Sequence, residues 1–210
     1  MTKTALWLAA ATGAVLIAMV IVGLTTGAAQ EPHEHFMAPD AYVASLFEHA
    51  GALRVMFALD IAFLVLYTAF FVAFAEVLRA HARPFVNLAL AAMIGTALLD
   101  IIEDHHIVSM LESAEHGIVP SASAIMFQSA ESATKFSVSY VGLVMFGLAV
   151  PRTTKLGIAL FAFLVIGTLI SAIVGYAVPP DMQPKVESGR WIGFLVGFGL
   201  AFAWLRRQPD

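Results

Sequence analysis

The chain has 210 residues, of which 60% are hydrophobic and 12% charged, and its mean hydropathy is strongly positive. A soluble domain of that length has no interior large enough to hide so much apolar surface, so lipid is the solvent for most of the chain. The absence of cysteine excludes disulfides, thiolate metal sites, iron–sulfur ligation and cysteine nucleophiles. A formal charge of −4 without any basic block excludes nucleic acid as a partner.

An apolar helix needs roughly 20 residues to cross a hydrocarbon core. Six stretches reach or approach that length, at about 4–26, 51–78, 85–108, 123–149, 156–178 and 191–205. The first opens Met1-Thr2-Lys3 and is followed by the small residues Gly27-Ala28-Ala29, a pattern shared with cleaved signal peptides. Its apolar run exceeds the roughly 7–15 residues usual in such peptides, so an uncleaved first helix is expected. The sixth is short, but Trp191 and Trp204 suit the two interfaces, and Arg206 and Arg207 can snorkel to the headgroups. Connections near 80–83 and 151–154 are short enough to force antiparallel neighbours. The expected fold is an all-α integral membrane protein, a six-helix up-and-down transmembrane bundle occupying residues 1–210 as a single domain.

Seven of the eleven basic residues, Lys3, Arg79, Arg83, Arg152, Lys155, Arg206 and Arg207, fall on one set of span ends, leaving Arg54, Lys135, Lys185 and Arg190. By the positive-inside rule those seven ends, and with them both termini, are cytoplasmic. The outer segments 27–50, 109–122 and 179–190 carry most of the remaining acids.

Within the third span Asp100, Glu103 and Asp104 stand at i, i+3 and i+4 and share one helix face, with His106 beside Glu103 and His105 pointing away. The fourth span answers with Gln128, Glu131, Thr134 and Lys135. Asp60 in the second span lies at a similar depth, roughly 12–18 Å below the outer ends at 1.5 Å per residue, and Tyr67 two turns deeper is placed to floor the site. A charge near the middle of a span costs about 2.5–3.5 kcal/mol on the insertion scale, so the third helix needs partners. Five carboxylates (Asp60, Asp100, Glu103, Asp104 and Glu131) face the single deep cation Lys135, with Arg54 reaching only from the rim. That surplus asks for bound protons or a bound cation. The alternative is a polar network that only fixes helix pairing, with Lys135 bridged to Asp100 and Glu103 and the rest open to water.

Six of the seven histidines, His33, His35, His49, His105, His106 and His116, lie on or near the outer side. Imidazole with carboxylate suits zinc, copper or iron, and Glu103 with His106 has the Glu-x-x-His spacing of di-iron bundles, though a second copy is missing. A divalent metal would draw on Glu103, His105, His106 and His49. His33 and His35 read as hydrophilic residues of a solvated acidic loop, and a bis-histidine haem would pair His49 with His105 or His106. Ser132, Ser137 and Ser139 lack any framing nucleophile motif.

Leu59-Asp60 followed by Tyr67, then Leu98-Leu99-Asp100 with Glu103-Asp104, then Lys135-Phe136, resembles a group of uncharacterised bacterial multi-pass membrane proteins. Their successive spans carry Leu-Asp…Tyr, Leu-Asp-x-x-Glu-Asn and Lys-Phe patterns. The resemblance covers roughly residues 50–150 and implies that Asp60, Asp100, Glu103 and Lys135 belong together in a bacterial cytoplasmic (inner) membrane protein. It implies no activity. The chain departs from the pattern at Asp104, where Asn is usual, and at the His105-His106 pair.

The function expected from these residues is binding or translocation of a proton, cation or small ligand at a buried acidic and lysine cluster that opens outward. The inner half of the same helices is apolar apart from Glu76, Asn87 and Thr96, so no through-path is evident. The alternatives are a membrane-embedded enzyme acting on a lipid or isoprenoid, with or without metal, and a non-catalytic sensing or assembly subunit.

Overall fold

The structure, a computed structural model, describes residues 1–179, 182–183 and 189–208. Lys185 lies outside the described residues. All regular elements among the described residues are helical. Helix α1 (Thr2–Thr26) buries Ala5, Ala9, Thr12, Leu16 and Met19, alternately four and three residues apart, which makes one stripe along the helix. The opposite faces expose Trp7, Ile17, Ile21 and Leu24, a pattern that water penalises and lipid does not. The helix stops at Gly27, whose φ of 77° is left-handed. A Cβ there would also meet the His49 ring at 3.3 Å, so glycine suits both the cap and the close approach.

Beyond Gly27 the chain turns back onto the bundle. Pro32 starts a 3-10 turn, Glu31–Glu34, and Pro39 opens α2 (Pro39–Glu48), which buries Tyr42 and Leu46 one turn apart. Neither element was legible as structure in the sequence, because both are too short to show a period.

The segment Ala50–Glu115 is helical over 66 residues except at Ala82, whose φ of −155° and ψ of 59° lie outside the helical region. A straight helix of that length would run about 100 Å. Instead it folds back into two arms, α3 (residues 50–81) and α4 (residues 83–115), and Arg54 Nη2 meets Glu115 Oε2 at 2.7 Å. Pro84 explains the hinge: it lacks the N–H that would bond to residue 80 and disfavours helical backbone just before it. Gly117 at φ 79° and its bond to Ala114 O end α4. Ser121 then caps α5 (Ala122–Ala149) by accepting from the Ala124 N–H. Thr154 does the same for α6 (Lys155–Ala177) through Gly157 N–H. At Gly157 a Cβ would lie 2.2 Å from Pro151 O, so no other residue fits that turn. Inside α6, Phe163–Gly167 widens to a π-helical turn. The last helix is α7 (Arg190–Leu205).

Four of these segments, Thr2–Thr26, Ala50–Glu115, Ala122–Ala149 and Lys155–Ala177, are long and apolar enough to cross a membrane, and Arg190–Leu205 is a shorter apolar helix. Helix ends fall close to the limits of the apolar stretches, except that α4 runs about two turns past residue 108. The antiparallel arms sort the charges. Lys3, Arg79, Arg83, Arg152, Lys155, Arg206 and Arg207 lie at helix ends on one side, the basic end. The 3-10 turn, α2, Glu112, Glu115 and Arg190 lie at the opposite, acidic end. Near the basic end an aromatic core closes the bundle. Phe71 stacks on Phe146 at 5.3 Å, Phe70 meets Phe198 edge-on at 5.3 Å, and Phe74 meets Trp204 at 6.0 Å. Each such pair adds about 0.5–1.5 kcal/mol to its burial.

Candidate functional site

Three helices each present a polar stripe to one point. On α3, Asp60 and Tyr67 are two turns apart on the face that carries Phe63, Phe70 and Phe74. On α4, Asp100, Glu103 and Asp104 are all buried, and on α5 so are Gln128, Ser132 and Lys135. The last three stand at i, i+4 and i+7, which brings them onto one line of a 3.6-residue helix.

Lys135 is the hub. Its Nζ lies 2.9 Å from Asp100 Oδ1 and bonds the Glu103 carboxylate, whose other oxygen accepts from Ser132 Oγ. Tyr67 donates to Asp100 Oδ2 at 3.1 Å. Asp60 receives a neutral donor, Gln30 Nε2, at 3.0 Å. Carboxylate oxygens of Asp60, Asp100 and Asp104 all lie within 4.8 Å of one another, while Asp104 Oδ2 is buried with no hydrogen-bond partner among the described residues. Such an all-oxygen group suits a hard cation of the sodium, magnesium or calcium kind and not a zinc-type centre.

The 3-10 turn covers this cluster at the acidic end. Gln30, Glu31 and His33 are buried. Glu34 Oε2 pairs with Arg190 Nη1 at 2.9 Å, Glu34 Oε1 lies 3.9 Å from Lys135, and Trp191 donates its indole N–H to Glu31. Phe136 serves both cations, with the Arg190 guanidinium 3.6 Å from the ring centroid and Lys135 Nζ 4.7 Å from it. That is a physical reason for the Lys-Phe pair: the lysine reaches the acids and its neighbour carries the arginine of α7.

Of the residues singled out in the sequence, Asp60, Tyr67, Asp100, Glu103, Asp104 and Lys135 are brought together, with Gln128 behind them donating to Ser132 at 3.0 Å. Glu131 is not part of the group. It sits about 60° around α5 from Gln128 and pairs with His106 Nδ1 at 2.9 Å. Of the carboxylates left over from Lys135, Asp60 and Asp104 are buried and Glu131 is half-buried. The four metal candidates do not converge. Glu103 is engaged by Lys135 and Ser132, and His106 by Glu131. His105 is hydrogen-bonded to Ile101 O on the far side of α4, and His49 packs on Gly27. His33 is not solvated. It is 3% exposed, edge-on to Tyr42 at 5.6 Å and 3.1 Å from Ser45 Oγ. Burial holds its pKa down from 6.5 to about 4, so the ring is neutral at ordinary pH. Burial, and then the Glu103 charge, push the Tyr42 hydroxyl up. Gln30, Glu31 and Glu34 could not be found by periodicity, since so short a turn has none, and Arg190 and Trp191 stand at the very start of α7, where no full turn precedes them. The run Glu31-Pro32-His33-Glu34 was the one signal available.

Below the cluster lies a cavity of about 260 Å³. Its wall is polar at the acidic end, where Gln30, Glu31, Asp60, Asp100, Lys135 and Arg190 meet, and aromatic toward the basic end, where Phe63, Phe70, Phe194 and Phe198 line it. The π-helical turn of α6 contributes Phe163, Leu164 and Gly167. No protein-family model, no curated protein and no solved structure matches the chain.

Proposed function

We propose that the chain is a six-crossing membrane protein that binds a small ligand or cation in the half of its bundle nearer the acidic end, through Asp60, Asp100, Asp104 and Lys135. The six crossings are α1, α3, α4, α5, α6 and α7, with both termini on the cytoplasmic side of a bacterial inner membrane. The positive-inside rule supports that orientation, because seven basic residues share one end. One observation carries the binding reading: the cavity joins a cluster of surplus buried carboxylates to an aromatic chamber. Intramembrane ionisable groups mark sites or pathways, and a concave apolar pocket with a few convergent polar groups is the usual form of a small-molecule site.

Binding is favoured over translocation by the packing of Phe71 on Phe146 and of Phe74 on Trp204 between the cavity and the basic end. The test is thermal unfolding of the protein in nanodiscs, titrated with sodium, potassium, magnesium, calcium and small organic cations. A saturable rise in Tm that Asp60→Asn abolishes is expected. A wild-type Tm indifferent to every one of these ligands would overturn the reading.

A further inference from the structure

Among the described residues, six acidic and basic side chains face the cavity: the carboxyl groups of Glu31, Glu34, Asp60 and Asp100, and the basic groups of Lys135 and Arg190. Arg190 pairs with Glu34, and Lys135 with Asp100. Asp60 and Glu31 remain, and their hydrogen-bond donors are neutral, the Gln30 amide and the Trp191 indole. Among the described residues, these two carboxyl groups therefore face the cavity with neutral hydrogen-bond donors, and the floor beneath them is built of phenylalanine rings. An anionic headgroup would meet net negative charge. A neutral one would leave both carboxylates without a counter-charge. An inorganic cation would use the polar end alone, leave the aromatic chamber empty and give up a strong hydration shell to do so.

An ammonium carried on an apolar body satisfies both halves, because aromatic faces attract a desolvated organic cation and the carboxylates supply the opposite charge. We propose that the cavity takes a small alkyl- or arylammonium ion, its charged head between Asp60 and Glu31 and its apolar part on Phe63, Phe70 and Phe198. This rests on the binding role proposed above and names its ligand class. The volume of about 260 Å³ lies just under the roughly 300–1,000 Å³ of ordinary ligand pockets, which limits the guest to one ring or a short chain. Entry fits the side of the bundle. α7 packs on α1 and on residues 155–162 of α6, and small residues of both helices, Gly167 and Ser171 of α6 and Gly193 and Gly197 of α7, line the cavity. The 3-10 turn covers the other approach.

The test compares three probes of one shape on the full-length protein in nanodiscs, with empty nanodiscs as the blank: phenyltrimethylammonium, its uncharged carbon isostere tert-butylbenzene, and benzenesulfonate. Saturable binding of phenyltrimethylammonium is expected, at least tenfold tighter than either other probe. It should weaken at least tenfold in Asp60→Asn and also in Phe198→Leu, two variants whose far-UV spectrum and elution volume report that they fold. Equal binding of the uncharged isostere, tighter binding of the sulfonate, or unchanged affinity in Asp60→Asn would each overturn the proposal. If sodium or calcium raises Tm through Asp60 while phenyltrimethylammonium neither binds nor competes, the ligand class falls and the binding role stands. If no probe and no metal ion binds, both fall.

Discussion

Lys135 holds two carboxylates at once, Asp100 and Glu103, in a place where all three are buried. Breaking a buried ion pair from one side leaves an uncompensated charge and costs about 3–5 kcal/mol, whereas replacing both partners with apolar side chains is often neutral. Lys135→Met is therefore expected to destabilise by that amount in SDS-induced unfolding. Lys135→Met combined with Glu103→Met should recover more than half of it, since Asp100 keeps its Tyr67 donor; losses that simply add would show that the two groups do not act as a pair. His33 gives a pH dependence of known sign. Its folded pKa, about 4, is below its ordinary 6.5, so between those values the unfolded chain takes up a proton that the folded chain refuses. Stability then falls as pH drops from 6.5 to about 4, by about 3 kcal/mol, and is unaffected by this group above 6.5. His33→Gln should flatten the unfolding profile across that window, and an unchanged profile would assign the slope to other groups. The acids of α4 and the lysine of α5 were legible because a charge within an apolar run stands out. Glu131 was misplaced because 128, 131 and 135 fit one helical stripe almost as well as 128, 132 and 135, and Ser132 is the kind of residue a charge count overlooks.

At the scale of elements, the long helices were legible from hydropathy alone, and the hinge between α3 and α4 was visible as the polar run before Pro84. The pieces that complete the site were not. The 3-10 turn owes its position to contacts across the bundle, such as Gln30 with Asp60 and Glu31 with Trp191, and α2 to the apolar cluster of Tyr42 and Leu46 with Leu53, Ile107 and Ile125, which no local pattern encodes. The π-helical turn of α6 is equally silent in the sequence Phe163-Leu164-Val165-Ile166-Gly167. The turn from α5 to α6 offers a direct test of packing. Gly157→Ala drives a methyl group into Pro151 O, and overpacking of this kind costs about 1–3 kcal/mol. A loss of Tm is expected for Gly157→Ala and none for Gly175→Ala, where a Cβ meets nothing within 4 Å; since alanine favours helix over glycine, the absence of a loss at Gly157 would show that the turn yields to the added methyl group.

For the whole molecule, the arrangement of charges makes orientation testable without background, because the chain has no cysteine of its own. A single cysteine at Glu115 should react with a membrane-impermeant maleimide on intact spheroplasts, and one at Arg207 only after permeabilisation. Labelling of both from the same side would refute the six-crossing arrangement. The hinge at Ala82 also imposes an order in time. With no loop between them, α3 and α4 leave the ribosome as a continuous hairpin, so Tyr67 and Asp60 are already beside Asp100 when the acidic arm reaches the bilayer. Lys135 is 35 residues further on, and at roughly 5–20 residues per second it follows Asp100 by about 2–7 s. During that interval Glu112 and Glu115 can already pair with Arg54 of α3, whereas Asp100, Glu103 and Asp104 have a tyrosine beside them but not yet their lysine.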